Sequence, residues 1–406
     1  MKLLKELTAR TFLAATTAGV FLSLVGFQPA FGQTKKPPEK ISEVRRNFPL
    51  DKFYEVPDPL PAGKPGDLMR SEEFDEYDLP PEAMAVRILY RSRSPSGEDV
   101  ATSGVVLYPD GKAPAGGWPV IAWAHSLNGV ARACGPSLAR DLQHGPYLSM
   151  YIKLGYAVVA TDYAGLGTAF RNAFSDVESN AQDVIYAVPA ARAAVPQLAS
   201  RWIALGIGEG GPAVIKVAEL ESDIRDPGYL GSVAISGLDD PRERYESSDA
   251  PSFETPLFLA YGIKTVYPKF EAKEILTEKG MELYTRVAQS CSDPSQRSKY
   301  SPAEILKPDW ATKSLVRQYF VRNTLGQKAA QQPMLVISSE VDPNTPINRT
   351  AEMISRMCQR GDRIQFDRYS ESEISSIFGD SVGDQISWMQ ARFSGRLMIS
   401  NCPEKP

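Results

Sequence analysis

The chain has 406 residues, 45 Lys and Arg against 49 Asp and Glu, a formal net charge of -4, and two histidines, His125 and His144. A hydrophobic share of 43% with 23% charged residues is globular usage and excludes a wholly disordered chain. Mild acidity without a basic stripe excludes a nucleic-acid partner on charge, and two histidines leave no multi-histidine zinc site, so no metal or cofactor is expected.

In chain order, residues 1–32 read as a secretory signal. Lys2, Lys5 and Arg10 precede an uncharged, mostly apolar run from Phe12 to Phe27, and Ala30-Phe31-Gly32 supplies small residues for cleavage. The run has about 16 residues, fewer than the roughly 20 that span a bilayer. No stable membrane span is therefore expected after cleavage, and the mature protein is expected in the periplasm or the medium. Residues 33–50, with Lys35-Lys36-Pro37-Pro38, read as a flexible leader. Residues 53–67 are rich in Pro and Gly and predict extended chain over a surface.

Met84–Tyr90 and Thr102–Tyr108 predict an antiparallel strand pair. Short apolar runs at Pro119–Ala124, Tyr156–Thr161, Trp202–Gly206, Ser232–Ile235 and Pro333–Ser338 suit strands covered on both faces. Helical stretches at Tyr147–Leu154, Ser179–Val195 and Gly211–Leu220 alternate with them, which predicts an α/β sheet. From 239 to 331 strands give way to helical pattern, at Lys269–Gln289 and Pro302–Thr324, too long for a simple crossover. This segment is expected to be a helical insert over the sheet's edge. The core spans 51–238 and resumes over 332–402 with a helix at Thr350–Arg360, a strand at Arg363–Tyr369 and a helix at Val382–Phe393.

Gly206-Ile207-Gly208-Glu209-Gly210, between an apolar strand and a helix, has the shape of a G-x-S-x-G elbow with glycine at its centre. A plain tight turn, a phosphate cradle and a dinucleotide loop are the other readings of these glycines, the last disfavoured by their position deep in the chain.

Several separated motifs then carry a resemblance. Trp123-Ala124-His125-Ser126-Leu127-Asn128-Gly129-Val130 leads to Cys134-Gly135-Pro136-Ser137, and Asp162-Tyr163 precedes Gly165-Leu166-Gly167. Phe53-Tyr54, Pro65-Gly66-Asp67-Leu68 and Trp388 with Arg392-Phe393 accompany them. Together they resemble the secretory lipase family of α/β-hydrolases over roughly residues 50–400. The resemblance implies an α/β-hydrolase fold, a mostly parallel sheet flanked by helices with a helical lid. It also implies an oxyanion group at His125, Ser126 and Glu209, with Ser126 in place of a glycine. It further implies the disulfides Cys134–Cys291 and Cys358–Cys402; the sequence by itself leaves three pairings open.

Measured against the family's Ser, Asp, His order, Asp342 holds the acid position, while its Asp-Pro-Asn context is also turn chemistry. Gly208 stands at the nucleophile and offers no side chain. The histidine position, near Ile374, is filled by something between Ser372 and Ile374, because no histidine follows His144. Glu209 is a candidate base for water, or a first-turn helix residue that faces solvent or an ion pair. An adjacent His125–Ser126 dyad is disfavoured, His144 reads as a surface-loop residue, and Asp162 and Asp183 read as structural. Loss of the Gly208 side chain is expected to deepen the pocket floor. Leu257, Phe258, Tyr261 and Phe270 are candidates for an acyl slot or for plain lid core.

The resulting expectation is an exported, secretory-lipase-like scaffold without the Ser-His pair, inactive or very weakly active, that binds a lipid-like or ester molecule. A protein partner is not specified by the sequence. The alternatives are an ester or acylglycerol hydrolase using Glu209, Asp342 and His125, and a purely structural protein with an empty pocket.

Overall fold

The computed structural model describes residues 47–238, 254–291, 300–342, 345–373 and 376–402. The signal region and Ile374 lie outside them. Among the described residues, nine strands form one sheet in the order β1-β2-β3-β5-β4-β6-β7-β8-β9. They are β1 Leu68–Glu73, β2 Ala83–Arg93, β3 Asp99–Pro109, β4 Trp118–Ala124, β5 Ala157–Thr161, β6 Leu198–Ile207, β7 Tyr229–Ile235, β8 Met334–Ser339 and β9 Ile364–Tyr369. β1, β2 and β3 pair antiparallel, β3 joins β5 antiparallel, and β5-β4-β6-β7-β8-β9 is parallel. The helices are α1 Gly145–Lys153, α2 Val177–Ala194, α3 Gly210–Ile224, α4 Glu254–Val266, α5 Glu278–Val287, α6 Pro302–Ile305, α7 Ser314–Arg322, α8 Ile347–Arg360, α9 Ile377–Asp380 and α10 Val382–Phe393.

The strands are apolar on both faces because both faces are covered. In β4, Val120, Ala122 and Ala124 join the core layer that holds Val184 and Val188 of α2 and Val214 and Val217 of α3. Ile121 and Trp123 point the other way, into a layer with Tyr151 of α1 and Trp388 and Met389 of α10. This alternation is the pleat's period of two acting between two helical layers.

β1 was not anticipated. Four of the six residues in its sequence Leu-Met-Arg-Ser-Glu-Glu are polar, and among the described strands it pairs only with β2 at the end of the sheet. The stretch read as leader also reaches into the fold. Phe48 packs edge-on against Phe74 and Tyr77, at 5.0 and 5.7 Å, and its N–H donates to the Leu138 carbonyl.

The insert joins β7 to its parallel neighbour β8. Its two expected long helices are broken into shorter pieces, and α4 precedes them. Thr277 caps α5 by accepting from Gly280 N, while Leu276 and Leu306 form a bridge that folds the two halves together. The insert has its own apolar cluster, including Leu257, Phe258, Phe270, Ile275, Val316 and Tyr319. It grips one core segment, 171–177, which lies between β5 and α2. Thr265 donates to the Asn172 carbonyl, Asn323 accepts from Val177 N, and Arg322 spans both carboxylate oxygens of Asp176 at 2.5 and 3.2 Å. Tyr319 also donates to the Phe174 carbonyl.

Both disulfides implied by the resemblance are present. Cys134–Cys291 ties the segment after β4 to the insert, and Cys358–Cys402 ties α8 to the tail. No described helix is long and apolar enough to cross a membrane.

Candidate active site

The candidate site is built where β4 and β6, adjacent and parallel, run out of the sheet side by side. Ala124 and Gly206 are register partners. Two residues further on, the chains reach Ser126 and Gly208. β6 ends at Ile207, Gly208 takes φ +58°, and α3 begins at Gly210. The left-handed apex favours glycine, and the flanking glycines are demanded by contact. A Cβ on Gly206 would lie 2.1 Å from the Gly210 carbonyl oxygen, and one on Gly210 would lie 2.0 Å from that of Ala124. This is the strand–turn–helix geometry of an elbow.

The apex is not the deepened floor expected from sequence. A Cβ on Gly208 would meet Ser126 Oγ at 2.6 Å. The serine hydroxyl therefore fills the space that a side chain at 208 would need.

His125 is fully enclosed and held from three sides. Its Nε2 lies 3.1 Å from the Asp162 carbonyl oxygen and its Nδ1 2.6 Å from that of Ser126. Asn128 Nδ2 approaches Nδ1 at 3.2 Å, and the Tyr163 ring stacks at 4.1 Å while its hydroxyl donates to the His125 carbonyl. The single N–H of the neutral ring donates either from Nδ1 to the Ser126 carbonyl or from Nε2 to the Asp162 carbonyl, and in the second case Asn128 Nδ2 donates to Nδ1. Burial also drives its pKa down to about 4, so the imidazole is neutral at pH 7. These contacts leave neither nitrogen bonded to the Ser126 hydroxyl.

His144 sits half-buried at the N-cap of α1, with its ring 5.4 Å from Trp123. It belongs to a packed helix start, which corrects the surface-loop reading. Glu209 is not turned to solvent. Its Oε1 accepts from Ser175 N at 2.9 Å and from Asn180 Nδ2 at 3.2 Å, across to the segment that the insert grips. Ser175 and Asn180 carry no motif, and only the folded chain reveals them as partners.

Asp342 follows β8, is buried, and accepts from Thr345 N at 3.2 Å. Asp162 accepts from Ser103 Oγ, Ser137 Oγ and Ser137 N, a structural knot. Asp183, on α2, accepts from Ser92, Thr102 and Ala164 N, and burial raises its pKa to about 7. Leu257, Phe258 and Phe270 are buried in the insert's own cluster, and Tyr261 stacks under Arg171 at 3.6 Å. They form part of the insert's own core.

Comparison with known proteins fits this architecture. The family model for secretory lipases matches residues 145–401. The chain belongs to the secretory lipase family. Among solved structures, Candida antarctica lipase A in its closed state is similar with a TM-score of 0.72 at 14% identity, over 87% of each chain. LipA, a rice cell wall degrading esterase from Xanthomonas oryzae, is similar with a TM-score of 0.64 at 19% identity, over 82% of this chain and 98% of the other. A putative hydrolase from Legionella pneumophila gives 0.69 at 18% identity, over 82% and 100%. No curated protein matches by sequence. The nine-stranded sheet is thus the α/β-hydrolase fold of this secretory lipase family member, and family and disulfides together point to an exported protein.

Proposed function

We propose that this secretory lipase family member is a non-catalytic, or at most very weakly active, exported protein that binds a lipid-like or ester molecule in the site above the elbow. The observation that carries the reading is the elbow apex, where Gly208 supplies no hydroxyl and Ser126 fills the space. Acyl transfer through serine needs a hydroxyl and a base that takes its proton and returns it to the leaving group. The sequence has two histidines. One is locked on carbonyls and the other is packed against Trp123 at the start of α1. We assign Asp342 to the retained acid position, Gly208 to the vacated nucleophile position and the Ile374 region to the substituted base position.

The alternative is hydrolysis by water activated at Glu209, with Asp342 and His125. The two N–H groups on the Glu209 carboxylate favour a strut over a base. The test is turnover of p-nitrophenyl butyrate and palmitate by the purified mature protein, beside calorimetric binding of dodecanoic acid. Rates at the buffer level with measurable binding are expected. Clear turnover that disappears in Glu209→Gln or Asp342→Asn would establish the hydrolase instead. Neither turnover nor binding would leave a structural protein. The mature chain is assigned to the periplasm or the medium, which fractionation of a producing culture resolves.

A further inference from the structure

We propose that the chain carries a second ligand site, away from the elbow, which holds the carboxylate of a small organic acid on the guanidinium of Arg91 and its apolar body under the Pro- and Gly-rich segment 57–67. The site is independent of the binding reading above. β2, which carries Arg91, lies four strands from β6 in the sheet, about 19 Å at the usual strand spacing.

Segment 57–67 runs over the β1–β2 pair, and a cleft of about 580 Å³ is lined from both. Pro57 and Pro61 come from the segment, Met69 and Arg70 from β1, and Leu89 and Arg91 from β2. Sites for small organic molecules run from about 300 to 1,000 Å³.

Arg91 is only 3% exposed, yet most of its guanidinium is unspent. Its Nη1 lies 3.4 Å from Asp99 Oδ2, a long contact, and the other oxygen of Asp99 lies 2.8 Å from Arg93 Nη1. Arg91 Nε and Nη2 have no hydrogen-bond partner among the described residues. These two N–H groups form one edge of the guanidinium, the fork that fits both oxygens of a carboxylate. Arg322 uses the same edge in this chain to span the two oxygens of Asp176. Arg70 repeats the pattern. Its Nη1 donates to the carbonyls of Lys52, Phe53 and Glu55, while its Nε and Nη2 make no hydrogen bond among the described residues. A buried cation with its best edge unpaired is costly until something fills that edge.

The covering segment keeps the edge clear. Gly63 has no side chain, and a Cβ there would lie 2.3 Å from Arg91 Nε. Asp67, also on the wall of the cleft, accepts from Lys64 N at 2.8 Å and forms no ion pair with Arg91 or Arg70. Two arginines against the one carboxylate of Asp67 leave the lining net positive, which selects an anion. The planar fork selects a carboxylate, and Pro57, Pro61, Met69 and Leu89 select an apolar body.

The test is calorimetric titration of the mature protein with 4-phenylbutyrate, beside 4-phenylbutan-1-ol as its neutral counterpart. A charge-assisted contact of this kind corresponds to about 10- to 100-fold in affinity. Arg91→Met is expected to lose about that factor for the acid, while the alcohol binds natural chain and variant alike. Arg91→Lys, which keeps the charge and loses the fork, should fall between the two. Gly63→Ala leaves Arg91 in the chain and sets a methyl against its fork, so a loss of about 10-fold is expected. Gly63 lies exposed on the segment, which keeps the test open where Arg91→Met does not fold. Melting of each variant establishes that it is folded. A crystal structure of the complex should place the carboxylate within about 3 Å of Arg91 Nε and Nη2.

Undiminished acid binding in Arg91→Met, or in Gly63→Ala where Arg91→Met does not fold, would overturn the proposal and place the acid elsewhere, the elbow included. Equal affinity of the natural chain for acid and alcohol would overturn the carboxylate contact. No heat of binding with 4-phenylbutyrate would overturn the site, while the titration with dodecanoic acid decides the elbow reading separately.

Discussion

Replacing Arg322 with methionine should weaken the insert's hold on the core at a predictable cost. Arg322 ends α7 and grips both oxygens of Asp176, which is fully buried and caps α2 by accepting from Ser179 N at 3.0 Å. The fork pairs two groups of which one cannot reach water. Breaking a buried pair by removing one partner typically costs about 3–5 kcal/mol, because the other charge stays behind. Asp176 keeps its cap bond and the positive end of α2, so the lower end, about 3 kcal/mol, is expected. Asp176→Asn in the same chain removes the stranded charge and keeps a good N-cap, so the double variant should recover about 2 kcal/mol of that loss. Urea denaturation at pH 7, followed by fluorescence for both variants, measures this. A loss below about 1 kcal/mol for Arg322→Met, or no recovery in the double variant, would show that the insert does not depend on this pair.

Two buried groups oppose each other in acid. The Asp183 carboxyl, raised by burial to about 7, contributes stability that is full below its unfolded pKa near 4 and is lost as pH rises through 7. The His125 imidazole, depressed to about 4, contributes stability that is present above about 6.5 and is lost as pH falls through 4. Asp183→Asn removes the first, so its melting temperature should fall more steeply from pH 7 to pH 5 than that of the natural chain; parallel profiles would refute this. The Cys358–Cys402 bond spans a sequence separation of 44, which a loop-entropy account values at roughly 4 kcal/mol. Cys402→Ser should therefore lower the melting temperature, and added reductant should then take away only the contribution of Cys134–Cys291. An unchanged melting temperature in Cys402→Ser would deny the tail any part in stability.

The sheet was legible because its central strands are covered on both faces and so read as plain apolar runs. β1 was not, since an end strand with one neighbour can carry Arg70, Ser71 and Glu72 without burying them fully. The insert's helical character was legible, its breaks less so, because the bridge between Leu276 and Leu306 is a tertiary pairing. At the site, the turn at Gly208 between an apolar strand and a helix was legible from the glycine spacing alone. The seat taken by Ser126 was not, since it depends on the register of β4 against β6. The hydrogen bonds of Glu209 could not be read from the sequence for the same reason. Its partners Ser175 and Asn180 belong to a loop and a helix that only the folded chain brings to the elbow.

The outer elbow glycines answer to packing and not to the elbow's chemistry. A side-chain carbon at Gly206 or Gly210 would strike a main-chain carbonyl within about 2 Å, and neither carbonyl can move without moving the sheet or α3. At Gly208 the obstacle is only the tip of Ser126, which can rotate, together with the cost of a left-handed backbone. The two outer glycines are thus required by packing whatever residue stands between them, and the apex is the one position of the three that the fold leaves open to change. A G-x-x-x-G signature at a strand-to-helix turn therefore reports the fold. Activity has to be argued from the apex side chain and from a base within reach of it.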